Sequence, residues 1–273
     1  MRRRSQSQCG SRRREVDWPH VSVSSQLEPT SSLDEIALPS GRITLGVVRV
    51  GDTVRRPGKA SSPFVAELLV HLAAQQCTWA PRYLGRDSAG RDVLSYLVGS
   101  VPAKWQTFSD AQVRAAASLL RALHDATAGS ALAPTGVVCH HDAGPNNFVF
   151  QDDLPVALID FDTAAPGSRL EDLGYMAWAW CLSSNPARGS VAAQARQVRV
   201  LAEAYGAGVS ERMQLPDAIV ERVRRNVAFW SAQLEGSDSI VTAREKVPEF
   251  VAWSKREQDY VEANRVQLQA ALR

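Results

Sequence analysis

Between Val137 and Asp162, short apolar runs alternate with polar loops, and this alternation restricts the fold more than anything else in the chain. The segment reads Cys139-His140-His141-Asp142-Ala143-Gly144-Pro145-Asn146-Asn147, then Phe148-Val149-Phe150. Thirteen residues after Asn147 comes Asp160, within Leu158-Ile159-Asp160-Phe161-Asp162. Val137-Val138, Phe148 to Phe150 and Val156 to Ile159 are short and β-prone, as strands are. The runs between them hold Gly, Pro, Asn and Asp, which make loops. One strand therefore opens into His140-x-Asp142, and another ends on Asp160.

Three readings of these polar residues are open. Cys139, His140, His141 and Asp142 could be a metal cluster, but four adjacent residues cannot all converge on one tetrahedral ion. Asn146-Asn147 could be only a turn and Asp160 only a helix cap, which explains each residue singly but not their joint order. The order itself suits phosphoryl transfer. One carboxylate orients or deprotonates a hydroxyl, while an Asn oxygen and a second carboxylate hold Mg2+ on phosphates. Asp162 is divided between supporting the metal site and capping the loop, with the secondary role preferred.

Charge excludes several classes of partner. Thirty-one Lys and Arg against twenty-nine Asp and Glu leave a net charge of +2, so no global field points to nucleic acid or membrane. The longest nearly uncharged run, Leu173 to Pro186, is shorter than the about 20 residues that cross a bilayer. Four cysteines, Cys9, Cys77, Cys139 and Cys181, stand far apart without a CxxC pair, which suits a reducing cytoplasm. Residues 1–36 differ from the rest. Arg2-Arg3-Arg4 and Arg12-Arg13-Arg14 sit among Ser and Gln with no apolar stretch behind them. This reads as a disordered basic arm, or as a start assigned too far upstream, and not as an export signal.

From Gly41 onward the pattern is regular. Ile43 to Val50 and Thr53 to Arg56 meet at Gly51-Asp52 as a hairpin. Pro63 to Gln76 is a helix with Phe64, Leu68 and Leu72 on one face. Arg82 to Gly85 and Asp92 to Val98 form a second hairpin, and Gly99 to Phe108 is a connector. Ser109 with Gln112 is a capping box that opens a helix to about Thr127. After Ser168 nearly everything reads helical. A small strand-rich part thus precedes a larger helical one.

In this setting the segment resembles the aminoglycoside phosphotransferase family of protein-kinase-like small-molecule kinases. His140-x-Asp142-x-x-x-x-Asn147 is similar to its catalytic loop, and Ile159-Asp160-Phe161-Asp162 to the segment matching the kinase Asp-Phe-Gly. Leu120-Arg121-Ala122-Leu123-His124 resembles the Leu-His that ends the preceding helix, and Arg169 to Leu173 the later stretch whose Asp172 braces the catalytic segment. The resemblance implies an α+β, protein-kinase-like two-lobe fold: an arm over 1–36, a β-rich nucleotide lobe over 37–99, and a mainly helical catalytic lobe over 100–273. It implies Asp142 as catalytic base, Asn147 and Asp160 as Mg2+ ligands, and His140 as a structural brace. Position 141 is usually Gly in the family and here is His, which puts a side chain near the substrate.

The nucleotide lobe departs from the family. Gly41 and Gly46 are the glycines nearest the phosphate-covering turn, without GxGxxG. The strand Thr53-Val54-Arg55-Arg56 has no Lys; Arg55 falls best on the Lys position, with Arg56 next, and Arg is not a neutral replacement. Both arginines could also simply solvate a strand. Glu67 is the one carboxylate in the following helix that could pair with the cation. Tyr96 to Gly99, Tyr96 and Val98 included, resembles the linker that contacts adenine through backbone groups. The implied cosubstrate is ATP, or GTP in its place, and the implied acceptor a small hydroxylated antibiotic or metabolite. Many C-terminal arginines argue against a strongly acidic groove for polycations, although Glu235, Asp238, Glu245, Glu249, Glu257 and Asp259 could make a local patch. Trp178, Trp180, Trp230 and Trp253 could form a wall or belong to the core. A cytoplasmic ATP-dependent O-phosphotransferase is the expected function, with a non-catalytic kinase-like binding or immunity protein as the alternative. Neither nucleic acid nor membrane is an expected partner, and oligomeric state is left open.

Overall fold

The computed structural model describes residues 34–38, 46–103, 106–235 and 244–273. The basic arm up to residue 33, the Gly41 position and Asp238 therefore lie outside the described residues. The sheet begins within the stretch that composition assigns to the arm: β1 (Ile36–Ala37) pairs antiparallel with β2 (Val48–Val50), and the Glu35 carboxylate accepts from Arg91 at 2.8 Å.

Gly51-Asp52 turns β2 into β3 (Thr53–Arg56), with Val50 opposite Thr53. Helix α1 (Ser62–Ala74) follows, and Val65, Leu68, Leu69 and Leu72 make its buried face. β4 (Tyr83–Arg86) and β5 (Asp92–Ser95) form the second hairpin and complete a five-stranded antiparallel sheet in the order β1-β2-β3-β5-β4. In register, Arg56 faces Asp92 and Arg55 faces Val93. Successive side chains on a strand point to opposite faces, so Arg55 and Arg56 look in opposite directions.

The chain leaves this lobe near Gly99. There φ is +148°, and a Cβ would lie 2.5 Å from the Phe150 carbonyl oxygen, so only Gly fits the crossing. Ser100 bridges to Phe150. Helix α2 (Asp110–Thr127) opens with the expected box: Ser109 Oγ accepts from the Gln112 amide, and the Gln112 side chain accepts from Ser109 N–H. β6 (Val137–Cys139), β7 (Phe148–Gln151) and β8 (Leu154–Leu158) then carry the polar loops. A strand not legible from pattern, β9 (Ala165–Gly167), pairs with β6.

Helix α3 (Arg169–Met176), capped by Ser168, is followed by α4 (Val191–Tyr205), α5 (Val209–Glu235), α6 (Val247–Ala263) and α7 (Arg265–Leu272). One apolar core runs through both lobes, from Leu68 and Leu72 of α1 through Leu120, Leu158 and Trp180 to Leu268. This is the expected α+β two-lobe arrangement. Among the described residues no helix is long and apolar enough to cross a membrane.

Candidate active site

The loop after β6 is built around one buried carboxylate. Asp172, at the start of α3, accepts from the backbone N–H groups of His140 (2.6 Å) and His141 (2.7 Å), and its Oδ2 lies 3.0 Å from His124 Nε2. His124 Nδ1 in turn meets the Tyr205 hydroxyl at 2.7 Å. Burial alone would push the Asp172 carboxyl up, but His124 and the loop donors hold it below the ordinary value. Cys139 lies beside this pair, and the ligand atoms of His124, Cys139 and Asp172 all fall within 4.8 Å of one another. All are fully buried; His124 bonds Asp172 directly, whereas the Cys139 thiol donates to the Ser168 carbonyl at 3.1 Å.

His140 is the brace expected of it. Its Nε2 lies 3.0 Å from the Ile159 carbonyl and its Nδ1 accepts from Asp142 N–H at 3.3 Å, which ties the loop to the end of β8. His141 adopts φ +62°, the left-handed region that favours glycine. Its side chain does not stand free near a substrate. It folds back onto the Thr163 carbonyl (3.1 Å) and Glu171 (3.5 Å).

Asp142 has a donor on each oxygen. The Tyr175 hydroxyl donates to Oδ1, and the Asn147 amide donates to Oδ2 at 2.9 Å and to the Asp142 carbonyl at 2.8 Å. Asn147 is held by the backbone too, its carbonyl accepting from Ile159 N–H at 2.9 Å, which sets it beside Asp160. The Asn147 Oδ1 already accepts from Asn146 Nδ2 at 2.9 Å, which leaves it one lone pair. Asp160 sits at φ +62° with a half-exposed side chain. Desolvation and the neighbouring Asp162 carboxylate push its carboxyl up, a crowding that a bound cation would relieve.

The opposite wall comes from β3, and here the position expected for the cation shifts by one. Arg55 turns away from Asp160 and pairs with Asp87 (3.3 Å), which Arg91 also holds at 2.7 Å. Arg56 is the residue that faces the acids. It is 8% exposed, contacts Asp162, and lies 3.9 Å from Asp160 and 3.8 Å from Asp92. Lys59 reaches the other oxygen of Asp162. Glu67 is exposed and pairs with neither arginine; the acid beside Arg56 is Asp92, fixed by Ser62 and by Arg86 at 3.2 Å. Strand alternation tells that only one of the two arginines faces the acids, but no local signal says which, and nothing local marks Asp92, Lys59 or Tyr175.

The linker residues are partly engaged. Tyr96 N–H donates to the Asp52 carbonyl (2.9 Å), Arg49 stacks over the Tyr96 ring, and the Val98 carbonyl accepts from Gln151 at 2.7 Å. Gly46 has φ +77° beside Pro57. The four tryptophans do not form one wall. Trp178 and Trp180 are core, Trp230 packs in a separate cluster with Val247 and Val251, and half-buried Trp253 stacks on Trp178.

The description "Phosphotransferase enzyme family" matches residues 130–215, the stretch that carries the loop and both aspartates. The trifolitoxin immunity protein of Rhizobium leguminosarum bv. trifolii is 30% identical over 267 residues, covering 88% of this chain and 99% of that protein. Two solved structures share the fold. A choline/ethanolamine kinase family protein from Mesorhizobium loti is 22% identical with a TM-score of 0.56, over 89% of this chain and 93% of that one. The GDP complex of aminoglycoside 2'-phosphotransferase-IIIa is 14% identical, also with a TM-score of 0.56, over 86% and 94%.

Proposed function

Because the chain belongs to the aminoglycoside phosphotransferase family, we propose that it transfers the γ-phosphoryl group of ATP, or of GTP, to a hydroxyl of a small molecule. The observation that carries this reading is the facing arrangement of Asp142, Asn147 and Asp160 on one wall and Arg56 on the other. A binding protein would need no such base opposite a phosphate-binding cation.

Asp142 is the group that accepts the acceptor's proton. Tyr175 and Asn147 hold its two oxygens in one orientation toward the incoming hydroxyl. Asn147 Oδ1 and Asp160 are hard oxygen donors of the type magnesium takes. When bound there, the ion would neutralise phosphate charge. Arg56 binds the phosphates from the sheet side, and its bidentate fork suits them. The backbone around Tyr96 and Val98 is the reading for the base, with Gly46 near the phosphates.

The acceptor is a hydroxylated antibiotic or metabolite. The test is nucleotide consumption, with mass detection of a phosphorylated product, over a panel of such compounds for wild type and Asp142→Asn. Product from wild type alone supports the reading; equal product from both removes it.

A second reading is favoured by the immunity protein that is 30% identical: this chain protects a cell by binding a toxin without chemistry. Expression of wild type and Asp142→Asn under trifolitoxin challenge separates the two. Protection that survives the substitution favours binding.

A further inference from the structure

A cavity of about 600 Å3 lies between the start of α2 and the start of α4, and none of its lining residues belongs to the cleft. Asp110 lines it from α2, Arg196 and Gln197 from α4, and Arg188 from the turn Pro186–Arg188. Thr107 adds an exposed hydroxyl.

The two arginines of this cavity differ. Arg196 meets Asp110 at 2.6 Å, and that bond holds its pKa above the ordinary value. Arg188 has no carboxylate within pairing distance among the described residues. Its one hydrogen bond goes to the Trp180 carbonyl at 2.7 Å, and burial pulls its pKa down. Glu257 acts on it only from beyond pairing distance. Capping the helical run Ala177–Cys181 explains that one bond. It does not employ the rest of the fork, since a guanidinium carries five N–H donors. No unbonded nitrogen of Arg188 is closed off from solvent, so a ligand can reach them.

The turn that carries Arg188 is held from several sides. The Gln194 side chain donates to the Gly189 carbonyl at 3.1 Å and accepts from Ser183 N–H at 2.9 Å. Asn185 Oδ1 accepts from Ala187 N–H at 3.0 Å. Two arginines against one aspartate leave the lining with one positive charge in excess. Trp180 stands between this cavity and the loop after β6, because its ring N–H donates to the Ala143 carbonyl at 3.0 Å.

We propose that this cavity is a second binding site, which takes an oxyanion of a small molecule, a carboxylate or a phosphate, in the fork of Arg188. The site is independent of the phosphotransferase reading and would stand if the cleft bound no nucleotide.

Thermal unfolding of the full chain in inorganic phosphate, in acetate and in sodium chloride of equal ionic strength tests the site on wild type, Arg188→Gln and Ala193→Glu. Ala193 is exposed in the first turn of α4 and lines the cavity, so its replacement adds a competing carboxylate and leaves the Trp180 bond in place. Wild type gains about 3 °C over the chloride control at ten times the Kd. The Kd read from the shift weakens by about 10- to 100-fold in Arg188→Gln, and by at least about 10-fold in Ala193→Glu. A gain with phosphate alone supports the site and marks a phosphate ester as its ligand; a gain with acetate too supports it and marks a carboxylate. Wild type that gains nothing over chloride in either anion overturns the site. So does a gain that either folded variant keeps in full, because the anion would then bind elsewhere. Should Arg188→Gln fail to fold, Ala193→Glu decides in the same way.

Discussion

The two walls of the cleft follow different rules. On the wall proposed as catalytic, His140, Asp142, Asn147, Asp160 and Asp172 carry the spacing on which the family resemblance rests, and nearly every one bonds a backbone group. On the wall proposed to face the phosphates, the strand carries no Lys, Glu67 is exposed, and Arg56 and Lys59 meet Asp162 while Asp92 lies 3.8 Å from Arg56. The difference teaches what each wall has to do. A loop whose shape depends on named donors and acceptors tolerates few replacements, because an unmet buried partner costs about 1–3 kcal/mol. Positive charge beside phosphate can be delivered from several positions, since Coulomb attraction is less demanding in direction.

The largest way to break this contrast is through Asp172. Asp172→Ala removes the acceptor of two loop N–H groups and of His124, and should cost about 3–5 kcal/mol in denaturant unfolding. A loss below about 1 kcal/mol would mean the loop holds its shape without its brace. The brace should also fail in acid. A carboxyl lower in the folded than in the unfolded chain stabilises above its unfolded value of about 3.9 and loses that contribution as pH falls through the folded value. The Tm gap between wild type and Asp172→Asn should therefore narrow below about pH 4.

Asp142→Asn comes next. It keeps the size of the side chain and removes the base, so turnover on a verified acceptor should fall by about 10²–10⁴ while Mg-nucleotide affinity is kept. Steady-state kinetics beside calorimetry reads both, and near wild-type turnover would end the assignment of this loop.

The phosphate wall predicts smaller and more selective effects. Arg56→Ala should weaken ATP by about 10- to 100-fold, because it removes a charged donor from the phosphates. Arg55→Ala should leave ATP affinity within about twofold, since Arg55 serves Asp87 on the other face of the sheet, and a pair of that kind is worth about 0–1 kcal/mol. Equal losses from the two would mean that both faces of β3 reach the nucleotide. Smallest of all, Glu67→Ala should shift stability by no more than about 0.5 kcal/mol and nucleotide affinity not at all, as an exposed side chain without a partner does.

Much of this was legible in the residues alone. Gly51-Asp52 announced the first hairpin, and Ser109 with Gln112 the start of α2, because turns and caps are written in adjacent positions. Asp142, Asn147 and Asp160 were legible for the same reason: one loop and one strand end hold all three. β9 was not, since Ala165-Pro166-Gly167 has no β pattern and is a strand only because β6 lies beside it.

The cation is where local sequence and tertiary structure part. Two consecutive arginines are equivalent to a linear pattern, and resemblance favoured Arg55. Strand alternation meant that only one of them could face the acids, but which face that was depended on where the turn Phe161–Thr163 packed against α1 and brought Asp162 to Arg56. That packing also turned the lone Asp92 of β5 into the partner of Arg56 and brought Lys59 to Asp162, 103 residues away. The sequence by itself determined the loop and the grouping of Asp142, Asn147 and Asp160, because those contacts close within a few residues or along one hairpin. Which charges face them was decided by the tertiary structure, because a charge acts through space and carries no mark of the residue it will meet.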